Sequence, residues 1–185
     1  MQHNITCLTF LVVLAVSSAI NAQEEPEFPV PEKEHQWLKQ FVGQWDSESE
    51  AKMSPDQPPM KCTGTMSSRM LGGFWLVAEL TGEMPGMTVT AIQTIGYDPA
   101  KKKYVGTWVD SVTTYMWKYE GTVDDSGKTL VLEAEGPNFM AGDKIMKFRD
   151  AYTFKSKDHI VTTSSAQSED GSWVQFMTGH FRRSE

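Results

Sequence analysis

GYDPAKKKYVGTWVDS, residues 96–111, reads as two short strands joined by a turn. The first strand ends at Gly96-Tyr97, Asp98-Pro99 opens the turn, and the second strand runs from Tyr104 to Asp110. Pro99 suits the second position of a turn because its φ is already fixed, and the Asp98 side chain can accept from the turn backbone. Side chains alternate along a strand, so Tyr104, Gly106, Trp108 and Asp110 share one face. A tryptophan and a carboxylate two residues apart on one face are either a structural hydrogen-bonded pair or the floor of a binding site.

Outward from this hairpin, the chain breaks into segments of strand length bounded by turn signals at short intervals. Ten are expected: 45–53, 60–70, 74–84, 88–97, 104–110, 115–124, 129–135, 145–154, 159–167 and 173–182. Gly72-Gly73, Met84-Pro85-Gly86, Asp124-Asp125-Ser126-Gly127, Lys157-Asp158 and Glu169-Asp170-Gly171 punctuate them. Every link is too short to carry a crossover helix, so neighbours are expected to be antiparallel. The fold class is therefore all-β, an antiparallel up-and-down barrel of about ten strands, with a sandwich of two five-stranded sheets as the alternative. No strand has the look of a protected edge, which favours closure.

One short helix precedes the strands. Glu32 and Glu34 suit its first turn, Trp37, Leu38 and Phe41 form an apolar stripe, and Gly43 follows its end. A helix this short needs something to pack on, and one end of the barrel is the expected place. Before it, Gln23–Pro31 is acidic, rich in proline and without periodicity, and reads as an extended or disordered arm. Leu8–Val16 is an apolar run too short to span a bilayer, followed by the small residues Ser17, Ser18, Ala19 and Ala22. Residues 1–22 are thus expected to be a signal peptide cleaved after Ala22, with residues 32–185 forming the barrel domain. The expected location is exported, periplasmic or extracellular.

Export makes the cysteines informative. Cys7 departs with the signal, Cys62 is left alone, and no intramolecular disulfide is expected. The formal net charge is −7, which argues against nucleic acid or an anionic membrane surface as partner. Lys101-Lys102-Lys103 falls in the turn of the opening hairpin and reads as a solvated turn.

Alternation assigns the inner face. Tyr115, Trp117 and Tyr119 alternate with Lys118 and Glu120. Met146, Phe148, Asp150, Tyr152 and Phe154 alternate with Lys147 and Arg149. An interior of aromatics, methionines and a few carboxylates is amphipathic, and ten strands enclose more room than side chains readily fill. The candidate ligand-binding residues are Trp108, Asp110, Tyr115, Trp117, Glu79 and Asp150.

Gly43-x-Trp45, where a helix runs into a first strand, resembles the corresponding motif of lipocalins and fatty-acid-binding proteins. That resemblance implies a Trp45 packed across one barrel end against a late basic residue, Arg182 or Arg183. The chain departs from both families: residues 53–60 are too few for a helical lid, and no residues remain for a C-terminal helix. A fuller resemblance is to an uncharacterised family of secreted bacterial proteins, a domain of unknown function with a calycin-like fold. It rests on Leu38 with Gly43-x-Trp45, Arg69-x-Leu71-Gly72-Gly73, Glu79 with Gly82-x-Met84, Gly96-Tyr97-Asp98, Trp108-Val109-Asp110-Ser111 and Gly121-x-x-Asp124. It implies a barrel and no activity.

For chemistry, Gly-x-Ser-x-Gly and nucleotide-binding glycine loops are both missing. Two of Glu79, Asp110 and Asp150 would make an acid–base pair if they shared the interior. Haem held through His159 or His180 on a late strand is the alternative cofactor reading, and no metal ligand spacing is present. Methionines at 84–87 and 53–60 offer soft thioethers to Cu(I) or, more commonly, adaptable apolar loops. The expected function is to hold a small apolar or amphipathic molecule. An enzyme using interior carboxylates and a structural barrel with a filled interior are the alternatives.

Overall fold

The computed structural model describes residues 28–52, 58–138 and 144–184. The expected signal peptide, most of the arm, and Met53 lie outside them. Residues 28–30 belong to a separate N-terminal unit and carry neither helix nor strand. The rest is a closed barrel of ten antiparallel strands: β1 (Gly43–Ala51), β2 (Met60–Leu71), β3 (Trp75–Met84), β4 (Met87–Asp98), β5 (Lys103–Asp110), β6 (Trp117–Val123), β7 (Thr129–Pro137), β8 (Ile145–Ser156), β9 (His159–Gln167) and β10 (Trp173–Arg183). Each strand pairs with its neighbours in sequence, and β1 pairs with β10 to close the ring. Closure removes the sandwich alternative and, among the described residues, leaves no strand with an open edge.

The turn at residues 98–102 forms as its residue types dictate. Asp98 Oδ1 accepts from the amides of Ala100 at 3.0 Å and Lys101 at 3.2 Å. Lys101 and Lys103 both reach Glu120 on the next strand, in exposed ion pairs of small energetic worth.

The single expected helix is two pieces, an α-helix at Lys33–Trp37 (α1) and a 3₁₀ turn at Leu38–Phe41. The tightened last turn presents the Phe41 carbonyl to two donors, the Trp45 indole at 2.7 Å and the Ser68 hydroxyl at 2.5 Å. Leu38, Phe41 and Trp45 are buried, so the helical segment plugs one barrel end. Trp37 adds a bond from its indole to the Gly127 carbonyl, and the Tyr104 hydroxyl donates to the Glu34 carbonyl.

The basic partner of Trp45 is Arg183, whereas Arg182 is exposed. Trp45 is paired with Arg183 across β1 and β10, so their side chains share a face, and Arg182 lies opposite Asp46. The cause is a bulge in β10 between Gln175 and Met177. One extra residue reverses the alternation for everything after it.

Two further expectations about the interior are corrected. Leu76, Ala78 and Leu80 take the inner face of β3, which leaves Glu79 exposed on the outer wall. Tyr115 belongs to the link between β5 and β6 and is exposed, its hydroxyl donating to the Glu135 carbonyl. The link is longer than its sequence suggests because Asp110 caps it, accepting the amides of Val112 and Thr113. Trp117 is buried as expected, its ring lying over Gly136, where even a methyl group would collide with it. Cys62 is a free thiol, half-buried on β2.

Candidate functional site

The inner faces of β2 to β6 and β8 to β10 converge on a cavity of about 170 Å³ in the barrel interior. Its apolar wall is Met66, Leu80, Trp108, Met177 and Phe181, and its polar wall is Gln93, Tyr119, Asp150, Tyr152 and Ser164. Towards the end away from the helix, Trp117 packs edge-on against Phe148, which packs edge-on against Phe176.

Two hydrogen-bonded groups organise the polar wall. The Tyr119 hydroxyl donates to Asp150 Oδ2 at 2.9 Å, and the Ser164 hydroxyl donates to Asp150 Oδ1 at 2.5 Å. Beside them the Gln93 amide donates to the Tyr152 hydroxyl at 2.9 Å. Burial pushes the Asp150 carboxyl above the usual carboxylate range, and the bonds from Ser164 and Tyr119 offset only part of that. Burial also raises the Tyr119 and Tyr152 phenols, with the Asp150 charge adding to both, so both stay protonated and keep a donor.

Trp108 and Asp110 form a hydrogen-bonded pair along one face of β5: the indole donates to Asp110 Oδ2 at 2.9 Å. Trp108 lines the cavity while Asp110 stands at the strand end, with its other oxygen taken by the two link amides. Desolvation raises the Asp110 carboxyl, but the bonds from Trp108, Val112 and Thr113 outweigh it and hold the group below its ordinary value. Of the six expected ligand-binding positions, Trp108 and Asp150 line the cavity, Asp110 orients Trp108, and Trp117 belongs to the aromatic layer beside it. Glu79 and Tyr115 are exposed.

Sequence reasoning placed Tyr119 and Tyr152 inside without assigning them to a site, and it missed Gln93 and Ser164. Their signal is weak. Ser164 sits in a β9 run with Thr and Ser on both faces, where alternation in the sequence does not separate inside from outside.

His159 and His180 lie on the outer wall. Their rings are hydrogen-bonded to each other, Nε2 to Nδ1 at 3.0 Å. Desolvation, aided by Arg182, His180 and Lys155, lowers the pKa of His159. Neither residue lines the interior cavity. Among the described residues, no group of three or more His, Cys, Asp or Glu is arranged to hold a metal ion, and no helix is long and apolar enough to cross a membrane.

Residues 30–183 match the model of a family described as protein of unknown function (DUF1579). The chain belongs to that family. No curated protein matches it. Among solved structures, Rv2717c from M. tuberculosis is similar at 11% identity and a TM-score of 0.62, over 84% of this chain and 100% of that one. A redesigned β-barrel, mFAP1, solved bound to DFHBI, aligns at 16% identity and a TM-score of 0.42, over 82% of this chain and 100% of that one. At these identities the likeness concerns the barrel alone.

Proposed function

We propose that this protein is an exported binding protein that holds a small amphipathic molecule, about the size of one aromatic ring, inside its barrel. The supporting observation is the interior cavity, with an apolar wall of Leu80, Trp108, Met177 and Phe181 facing a polar wall of Asp150, Tyr119, Tyr152 and Gln93. Its volume of about 170 Å³ is close to that of the engineered apolar cavity of ~150 Å³ that takes benzene. A long acyl chain does not fit such a space; a single ring with one polar substituent does. The polar wall differs from a dry core in presenting hydroxyl, amide and carboxyl groups together, the usual source of orientation in a ligand site.

Titration with benzyl alcohol, followed by tryptophan emission, tests this reading. Saturable quenching is expected in the wild type, and Leu80→Phe, which intrudes on the cavity, is expected to weaken it at least about tenfold (about 1.4 kcal/mol). Equal responses from both proteins would contradict an interior site. The export part of the reading is supported by the Leu8–Val16 run and the small residues after it. An intact mass beginning near Gln23 in secreted protein is expected; a soluble cytoplasmic product retaining residues 1–22 would contradict it.

A further inference from the structure

We infer that the interior site selects a ring-sized ligand carrying a positive charge, such as a protonated arylalkyl amine, with Asp150 as its counter-charge. The inference rests on the reading of the interior as a ligand site and narrows the class of ligand it takes.

The first observation is an imbalance of charge. Asp150 points into the cavity, and both of its oxygens accept from neutral hydroxyls. Among the described residues no lysine, arginine or histidine pairs with it. Arg149, its neighbour on β8, faces outward, bonded to Glu133 and lying over the Trp173 ring. A carboxyl group held away from water without a cation is costly as an anion, and it is relieved either by a proton or by a cation from outside. Tyr119 and Ser164 each occupy one lone pair, and a carboxylate offers about four, so acceptor capacity remains for a ligand.

The second observation is the rest of the lining. Lys, Arg and His are all missing from it, so it holds nothing to balance a carboxylate or phosphate ligand. That argues against the acyl-chain acids that a barrel of this shape would otherwise suggest. The Trp108, Tyr119 and Tyr152 rings line the same space, and aromatic rings attract a cation that has been stripped of water. The Trp108 indole N–H is already donated to Asp110, which leaves its ring as the surface offered to a ligand. Acceptor, π surface and the lack of any competing cation all favour the same ligand chemistry.

The test compares three probes of one shape, benzylamine, benzyl alcohol and benzoate, by calorimetric titration of the full protein at pH 8, with Asp150→Asn alongside. Benzylamine is expected to bind about tenfold more tightly than benzyl alcohol, as a charge-assisted bond in place of a neutral one implies, with benzoate the weakest. In Asp150→Asn the ratio of benzylamine to benzyl alcohol affinity is expected to fall to about one, whatever the variant does to both affinities together. Benzyl alcohol or benzoate binding as tightly as benzylamine would overturn the inference and leave the interior site standing. A preference for the amine that survives in Asp150→Asn would also overturn it. Failure of all three probes to bind would remove the interior site and the inference together. The wild-type comparison decides the question even if the variant folds poorly.

Discussion

The guanidinium carbon of Arg183 sits 4.2 Å from the centroid of the Trp45 ring. Around that stack the same side chain donates to the carbonyls of Val42 at 2.8 Å, Gln40 at 3.3 Å and Lys157 at 3.0 Å, and to Asp158 at 3.1 Å. One side chain thereby ties the helix end, the start of β1, the β8–β9 turn and the last strand together. Gly43 completes the arrangement: its φ is +132°, and an added Cβ would lie 2.5 Å from an Arg183 nitrogen. The interior cavity lies on the barrel side of this closure.

Arg183→Ala is expected to destabilise the protein by about 2 kcal/mol, since it removes several charge-assisted bonds and the ring contact at once. Arg182→Ala, one residue away and exposed, is expected to change stability by less than about 0.5 kcal/mol. Denaturant midpoints of the two variants measure the difference. Equal effects would contradict the assignment.

Asp110→Ala is expected to cost about 1–2 kcal/mol, because the Trp108 indole and the amides of Val112 and Thr113 lose their acceptor. The folded carboxyl titrates below its unfolded value. Its contribution is therefore complete above that unfolded value and is lost as pH falls through the lower, folded pKa. Chemical denaturation between neutral pH and strong acid reads the effect as a wild-type advantage that disappears only at the acid end. An advantage that persists unchanged there would show that the carboxylate is not its source.

Asp150 works with the opposite sign. Its folded carboxyl titrates above its unfolded value, so it favours folding when protonated. That contribution declines as pH rises from the unfolded value of about 3.9 through the raised folded one. Of the ionisable groups near it, Tyr119 and Tyr152 stay protonated across this range and Asp110 ionises below it. Stability profiles of wild type and Asp150→Asn are expected to diverge in the variant's favour as pH rises through that window. Parallel profiles would mean that Asp150 is not burdened by burial.

The number of strands, their order and their antiparallel pairing were legible because glycine, proline and aspartate punctuate the chain at strand-length intervals. Asp98-Pro99 and Asp124 to Gly127 are such marks, and both fall where the sequence puts turns. What was not legible follows from the period of two, which a single inserted residue inverts. The bulge at 175–177 carries no residue signature, so Arg182 and Arg183 are indistinguishable without coordinates. Glu79 fails for a related reason. In Trp75-Leu76-Val77-Ala78-Glu79-Leu80 both faces are largely apolar, and nothing local says which is buried. The inward placement of Asp150 was legible because Lys147 and Arg149 mark the outer face of β8. Of its partners, Ser164 sits directly opposite it on the paired strand β9, whereas Tyr119 comes from β6, two strands away, and only the curvature of the sheet brings it within reach.

The central claim is that the barrel interior is a ligand site, and methionine methyl NMR tests it most directly. Met66 and Met177 line the cavity, whereas Met87 and Met116 are exposed on the surface. On titration with benzyl alcohol, the Met66 and Met177 methyl resonances are expected to shift together along one saturable curve while those of Met87 and Met116 stay in place. Shifts confined to Met87 and Met116, with Met66 and Met177 unmoved at saturation, would contradict it.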